Sequence, residues 1–101
     1  MVLAKVKGSV VASAKVGSLS ARKLLLVEIV TLGEKDLEST RRHMVCVDAV
    51  GAGTGELVLV VMGSSARTAP DLADVPADAV IVGIVDSVQA SGRELALAEI
   101  Q

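Results

Sequence analysis

The sequence predicts an all-β domain, a small OB-like five-stranded β-barrel with one short helix, and three observations predict it. The chain is 51% apolar yet has no Phe, Tyr or Trp. Its core must therefore be Val, Leu, Ile and Ala, and the β-branched residues among these fit a pleated sheet better than a helix. Apolar residues alternate with period two or gather in short runs between turn residues, as strands do. Five such segments with one short helical stretch late in 101 residues suit a closed antiparallel sheet. That length makes residues 1–101 a single domain, able to bury a core but marginal alone.

Taken in order, residues 2–14 alternate. Val2, Ala4, Val6, Val10, Ala12 and Ala14 point one way, and Lys5, Lys7, Ser9 and Ser13 the other, with Gly8 marking a bend or bulge. VGSLS (16–20) is turn-like, and KLLLVEIVTL (23–32) is a second strand interrupted only by Glu28. The polar tract GEKDLESTRRH (33–43) is read as an exposed loop or hairpin tip, with Arg41 and Arg42 solvated. MVCVDAV (44–50) and ELVLVVM (56–62) flank a glycine segment. Ser64 or Ser65 caps a short helix running to Ala69, which Pro70 stops, and Pro76 marks a further turn. AVIVGIVDSV (79–88) is another strand, and 94–99 a last edge strand.

Several strands are apolar on both faces. A small barrel has one interior, so its strands need only one apolar face. KLLLVEIVTL, ELVLVV and AVIVGIV carry two, and exposing the outer ones would create a patch that monomers avoid. An obligate oligomer follows.

A net charge of −2 leaves no electrostatic footprint for nucleic acid or an anionic membrane. Single-stranded nucleic acid binding would also need stacking aromatics, which are missing. The lone Cys46 forms no internal disulfide and suits a reducing cytosol as a buried, inert thiol. The Ala12-Ser13-Ala14 triplet imitates a signal-peptidase site, but no apolar stretch precedes it, so it is read as mature protein.

The segment VDAVGAGTGELVLVV (47–61) raises the question of a nucleotide. Gly51 and Gly53 fit the first two glycines of the dinucleotide fingerprint, but Glu56 stands at the third, and a β-branched strand follows instead of a helix. No anion-facing helix N-terminus exists there. The glycines instead suit a tight strand connection or a close approach of backbones. GSSAR (63–67) departs from a nucleophile elbow at Arg67, and the only histidine, His43, lies in the polar tract. The scattered His, Cys and carboxylates show no metal-ligand spacing, and no cofactor is expected. Asp48 and Asp86 interrupt apolar runs. They suit buried carboxylates bonded to loop amides or paired with Arg67, with an acid/base pair joined to His43 as an enzymatic alternative.

The motifs LAKVKGSVVAS (3–13), KLLLVE, VDAVGAGTGE, GSSAR and IVGIVDSV, in this order over nearly the whole length, resemble the EutN/CcmL family of bacterial microcompartment vertex proteins. The lack of aromatics is a departure that leaves the motifs intact, and 33–43 lies where such proteins vary in length. The resemblance implies a non-enzymatic cytoplasmic shell protein of carboxysomes or metabolosomes. It further implies a cyclic homopentamer capping a fivefold vertex among hexameric shell proteins. By motif match it places Asp48, Gly51, Ala52, Gly53, Thr54, Gly55 and Glu56 at or near the fivefold axis or pore. Ser64, Ser65, Arg67 and Asp86 fall at the subunit interface. The alternative is a ligand- or anion-binding barrel gated by the 51–55 glycine loop, which requires an internal pocket with convergent polar groups.

Overall fold

The computed structural model describes residues 1–11, 23–63, 78–90 and 92–96. Five strands close a barrel: β1 (Val2–Val10), β2 (Leu24–Leu32), β3 (Leu37–Asp48), β4 (Leu57–Met62) and β5 (Ala79–Ile84). Their order around it is β1-β2-β3-β5-β4, with β4 pairing back onto β1. All pairs are antiparallel except β3 with β5. Two short strands, β6 (Val88–Ala90) and β7 (Arg93–Leu95), form a separate hairpin. The closed five-stranded barrel is the one the sequence predicts. The short helix expected over 64–69 lies outside the described residues, as do Ser64, Ser65 and Arg67.

Alternation explains the interior. Ala4 and Val6 from β1, Leu25 and Val27 from β2, Cys46 from β3, Val58 and Val60 from β4, and Ala79 and Ile81 from β5 make one aliphatic cluster. Val6, Val27, Val58, Val60 and Ile81 are fully buried. Among the described residues no polar or charged residue is buried as a whole, although the side chain of Asp48 is. With no ring to fill space, several small branched side chains meet at the centre, each supplying roughly 1.5–3 kcal/mol on burial. Cys46 belongs to this cluster, and burial pushes its thiol up to about 11. It is the inert thiol that its apolar neighbours in the sequence suggest.

Gly8 lies where the β1–β2 register shifts, so the irregularity expected there is present, although the strand ends at Val10 rather than Ala14. The larger correction concerns 33–43. Only 33–36 form the turn, and β3 begins at Leu37, which is buried. The tract pairs with β2 from Leu32↔Leu37 to Leu24↔Val47. A two-residue offset falls between Ile29↔Arg42 and Val30↔Ser39, and Arg41 there adopts a left-handed φ of 61°. Side chains hold this bulge: Thr40 Oγ1 donates to the Ile29 carbonyl at 2.7 Å, and the Arg41 amide donates to Ser39 Oγ at 2.9 Å. The last strand is also shorter than expected. Residues 93–95 pair with 88–90, and the expected 94–99 runs beyond the described part.

On the outer surface Glu28 joins the first three strands. It stands 3.8 Å from Lys7 Nζ and 3.6 Å from His43 Nε2. A hydrogen bond from Ser39 is the main reason its carboxyl lies below the usual range; partial burial opposes it, and Lys7, His43 and Arg41 assist. A lowered folded pKa contributes stability above the unfolded value, lost as pH falls through the folded one. Urea midpoints should therefore drop less steeply below about pH 4.5 in Glu28→Gln than in wild type. Equal slopes for the two proteins would show that Glu28 carries none of the acid sensitivity.

Candidate functional site: the glycine loop

The loop between β3 and β4 is built around the carboxylate that ends β3. Asp48 Oδ1 accepts the amides of Val50 and Gly51 at 3.0 and 3.1 Å, and Oδ2 accepts that of Ala52 at 2.9 Å. The Asp48 side chain is 1% exposed, so these three bonds compensate for its burial. Lys23, at the entrance to β2, stands 3.8 Å from Oδ2 and donates to the Ala52 carbonyl at 3.0 Å. Ala52 itself is fully buried and belongs to the core cluster, which pins the middle of the loop to the barrel end.

The second half turns on Glu56. Its Oε1 accepts the Gly53 amide at 2.6 Å, while its own amide donates to the Gly53 carbonyl at 3.1 Å. Gly55 donates to the Val6 carbonyl at 2.8 Å and Val6 to the Glu56 carbonyl at 2.9 Å, so the loop closes onto β1. Gly51 and Gly55 hold φ of 77° and 93°, in the region that glycine alone enters without strain. Gly53 does not, and a Cβ there would meet only Glu56 Oε1 at 3.6 Å. Thr54 is exposed at the tip.

This geometry bears on the sequence-based readings. Asp48 is the buried carboxylate bonded to loop amides that its apolar setting suggested, and its cation is Lys23. Nothing in the local pattern announced Lys23, which comes from 25 residues upstream. Asp86 differs from expectation: it is exposed, not buried. The amide of its neighbour Val85 donates to the Leu57 carbonyl at 2.8 Å, which holds Asp86 at the barrel end where β4 begins. Both oxygens of Asp48 are occupied by amides, and His43 lies against Glu28 on the outer wall. Among the described residues the barrel interior is aliphatic apart from the Cys46 thiol, so the polar groups that a ligand-gating barrel needs do not converge there. An anion at the loop would face the carboxylates of Asp48 and Glu56, which have already taken the amides at 50–53.

Fold and loop together define a small closed β-barrel whose polar end is a self-bonded glycine loop and whose outer wall carries apolar patches on β2, β3 and β4. Residues 1–86 match the family described as "Ethanolamine utilisation protein EutN/carboxysome". The chain belongs to this EutN/CcmL family. It is 44% identical over 95 residues to the carboxysome shell vertex protein CcmL of Synechocystis sp., covering 94% of this chain and 92% of that one. It is 43% identical over 94 residues to the bacterial microcompartment shell vertex protein EutN of Salmonella typhimurium, covering 92% and 91%. Among solved structures it is similar to the GrpN pentameric microcompartment shell protein from Rhodospirillum rubrum. That match has a TM-score of 0.77 and 46% identity, over 89% of this chain and 99% of that one.

Proposed function

We propose that five copies of this chain close into a ring that occupies a fivefold vertex of a bacterial microcompartment shell in the cytoplasm. The role is structural and not enzymatic. Flat arrays of hexameric shell proteins cannot enclose a volume by themselves, and a fivefold unit introduces the curvature that closes them. The observation that carries this reading is the similarity to the pentameric GrpN shell protein over nearly its full length. The apolar outer strand faces support it, because a heterologous contact with the right rotation buries them in a closed ring.

In this ring the loop residues Asp48, Gly51, Ala52, Gly53, Thr54, Gly55 and Glu56 lie at or near the axis. Ser64, Ser65, Arg67 and Asp86 lie toward the adjoining subunit. The facet partners are hexameric shell proteins, recognised through local complementarity, because a net charge of −2 per chain supplies little global attraction. Native mass spectrometry should give a species of five times the 10.3 kDa chain mass. A monomer or dimer at every concentration tested would overturn the proposal.

A further inference from the structure

We propose that the ring contact is made by two named faces on opposite sides of the barrel. The outer face of β4, centred on Leu59, packs on the outer face of the β2–β3 ladder, centred on Leu26 and Val45, of the next copy. This deepens the vertex-ring reading and rests on it.

A cyclic ring of five uses a heterologous interface, which joins two different patches of the same chain. The barrel presents two such patches. On the first, Leu57, Leu59 and Val61 alternate outward from the core residues Val58 and Val60, and Leu3 of β1 stands beside Leu59 in the ladder. All four are only half-buried. On the second, Leu24 and Leu26 are half-buried and Val45, opposite Leu26, is 48% exposed. In the closed order β1-β2-β3-β5-β4, strand β4 neighbours β1 and β5, so β2 and β3 are the two strands across from it. On the β1 side, Lys5 and Lys7 of β1 with Glu28 of β2 separate the patches by a charged band, and the Glu28↔His43 pair bounds the second patch along the β2–β3 ladder. Charged residues are depleted from interface cores and common at their rims.

The relief of the two faces also points to a close neighbour. Gly83 lies beside Leu59 in the ladder, and a Cβ there would make only ordinary contacts at 3.7 and 3.9 Å. Gly8 lies beside Leu26, and a Cβ there would meet nothing within 4 Å. Neither glycine has a left-handed backbone. Each face therefore offers a leucine next to bare backbone, a knob beside a hollow, with no demand from the chain's own packing for the hollow. The loop at 49–56 leaves the end of β3 and enters the start of β4, so it joins the two faces at one end of the barrel. A subunit with two apolar flanks and a loop at their shared end is a wedge with its tip toward the ring axis.

The test uses full-length Leu59→Glu and Val45→Glu, each breaking one face, with wild type alongside. Native mass spectrometry should show each variant as a monomer where wild type is pentameric. Circular dichroism and a cooperative thermal transition report that each is folded. Mixing the two variants should yield one-to-one dimers and nothing larger, because each supplies the face the other lacks and both remaining faces are broken. If either glutamate variant fails to fold, Leu59→Ser and Val45→Ser repeat the experiment, with loss of the pentamer read as dissociation at higher concentration. Pentameric variants beside a pentameric wild type would overturn this assignment of faces and leave the ring intact. A mixture of folded variants that stays monomeric would overturn the pairing of these two faces. A monomeric wild type would instead overturn the ring itself.

Discussion

Asp48→Ala is expected to lower the thermal midpoint by more than about 10 °C, which corresponds to a loss of roughly 2–4 kcal/mol in a domain of this size. Three amides lose their acceptor, but not equally. Val50 and Gly51 are exposed, so water takes over their bonds at small net cost. Ala52 is fully buried in the core, and its amide is left beside a cavity with no partner. That single orphaned donor costs about 1–3 kcal/mol, and the loss of charge-assisted bonds adds the rest. Asp48→Asn should fall between. Its carbonyl can replace Oδ1, but its amide group then meets the Ala52 N–H donor to donor. Lys23→Met separates the amide cage from the ion pair. The Lys23 side chain is 55% exposed, so its loss should cost less than about 1 kcal/mol. Unfolding must be followed at one protein concentration, since ring formation would raise the midpoint by mass action. Equal losses in Lys23→Met and Asp48→Ala would mean that the charge pair, and not the three amides, holds the loop.

The elements legible in the sequence are those whose signal is local. β1 alternates apolar and polar residues because one face meets the core, β2, β4 and β5 are short apolar runs bounded by turn residues, and Gly8 falls at an irregularity of the β1–β2 pairing. β3 was not legible in its first half for a physical reason. From Glu38 to His43 both faces are at least partly solvated, so nothing selects alternation there, and the offset at Thr40 and Arg41 shifts its phase. Only the buried Leu37 marks the strand's start, and a single leucine in a charged tract carries no period.

The loop divides in the same way. Asp48 was legible because a carboxylate after an apolar run must find donors, and the nearest donors are the amides that follow it. Lys23 and Glu28's partners were not, because they reach their positions only through strand pairing. Asp86 shows the converse limit. It too follows an apolar run, yet β5 ends at Ile84, so Asp86 emerges into solvent and needs no donors from the chain.

The glycines of the loop should separate folding from assembly when each is replaced. Gly51→Ala and Gly55→Ala force a side chain into left-handed φ of 77° and 93°. Each should cost about 1–2 kcal/mol, because a Cβ at either position meets nothing within 4 Å and the strain is wholly in the backbone. Both losses should be visible in a monomer. Gly53 answers to a different demand. Its backbone is ordinary, its amide still reaches Glu56 in any variant, and its Cβ position is open apart from the Glu56 carboxylate at 3.6 Å. Gly53→Ala should therefore leave the isolated chain unchanged or stabilise it by up to roughly 1 kcal/mol, through a less flexible unfolded state. If five loops converge at the axis, Gly53→Val places five branched side chains where bare backbones meet, and a folded chain that no longer closes its ring is the expected result. Denaturant unfolding reads the first effect and native mass the second. Pentamers of Gly53→Val that form and dissociate like wild type would remove Gly53 from the axis, and the glycines at 51 and 55 would then stand as a purely local requirement of the turn.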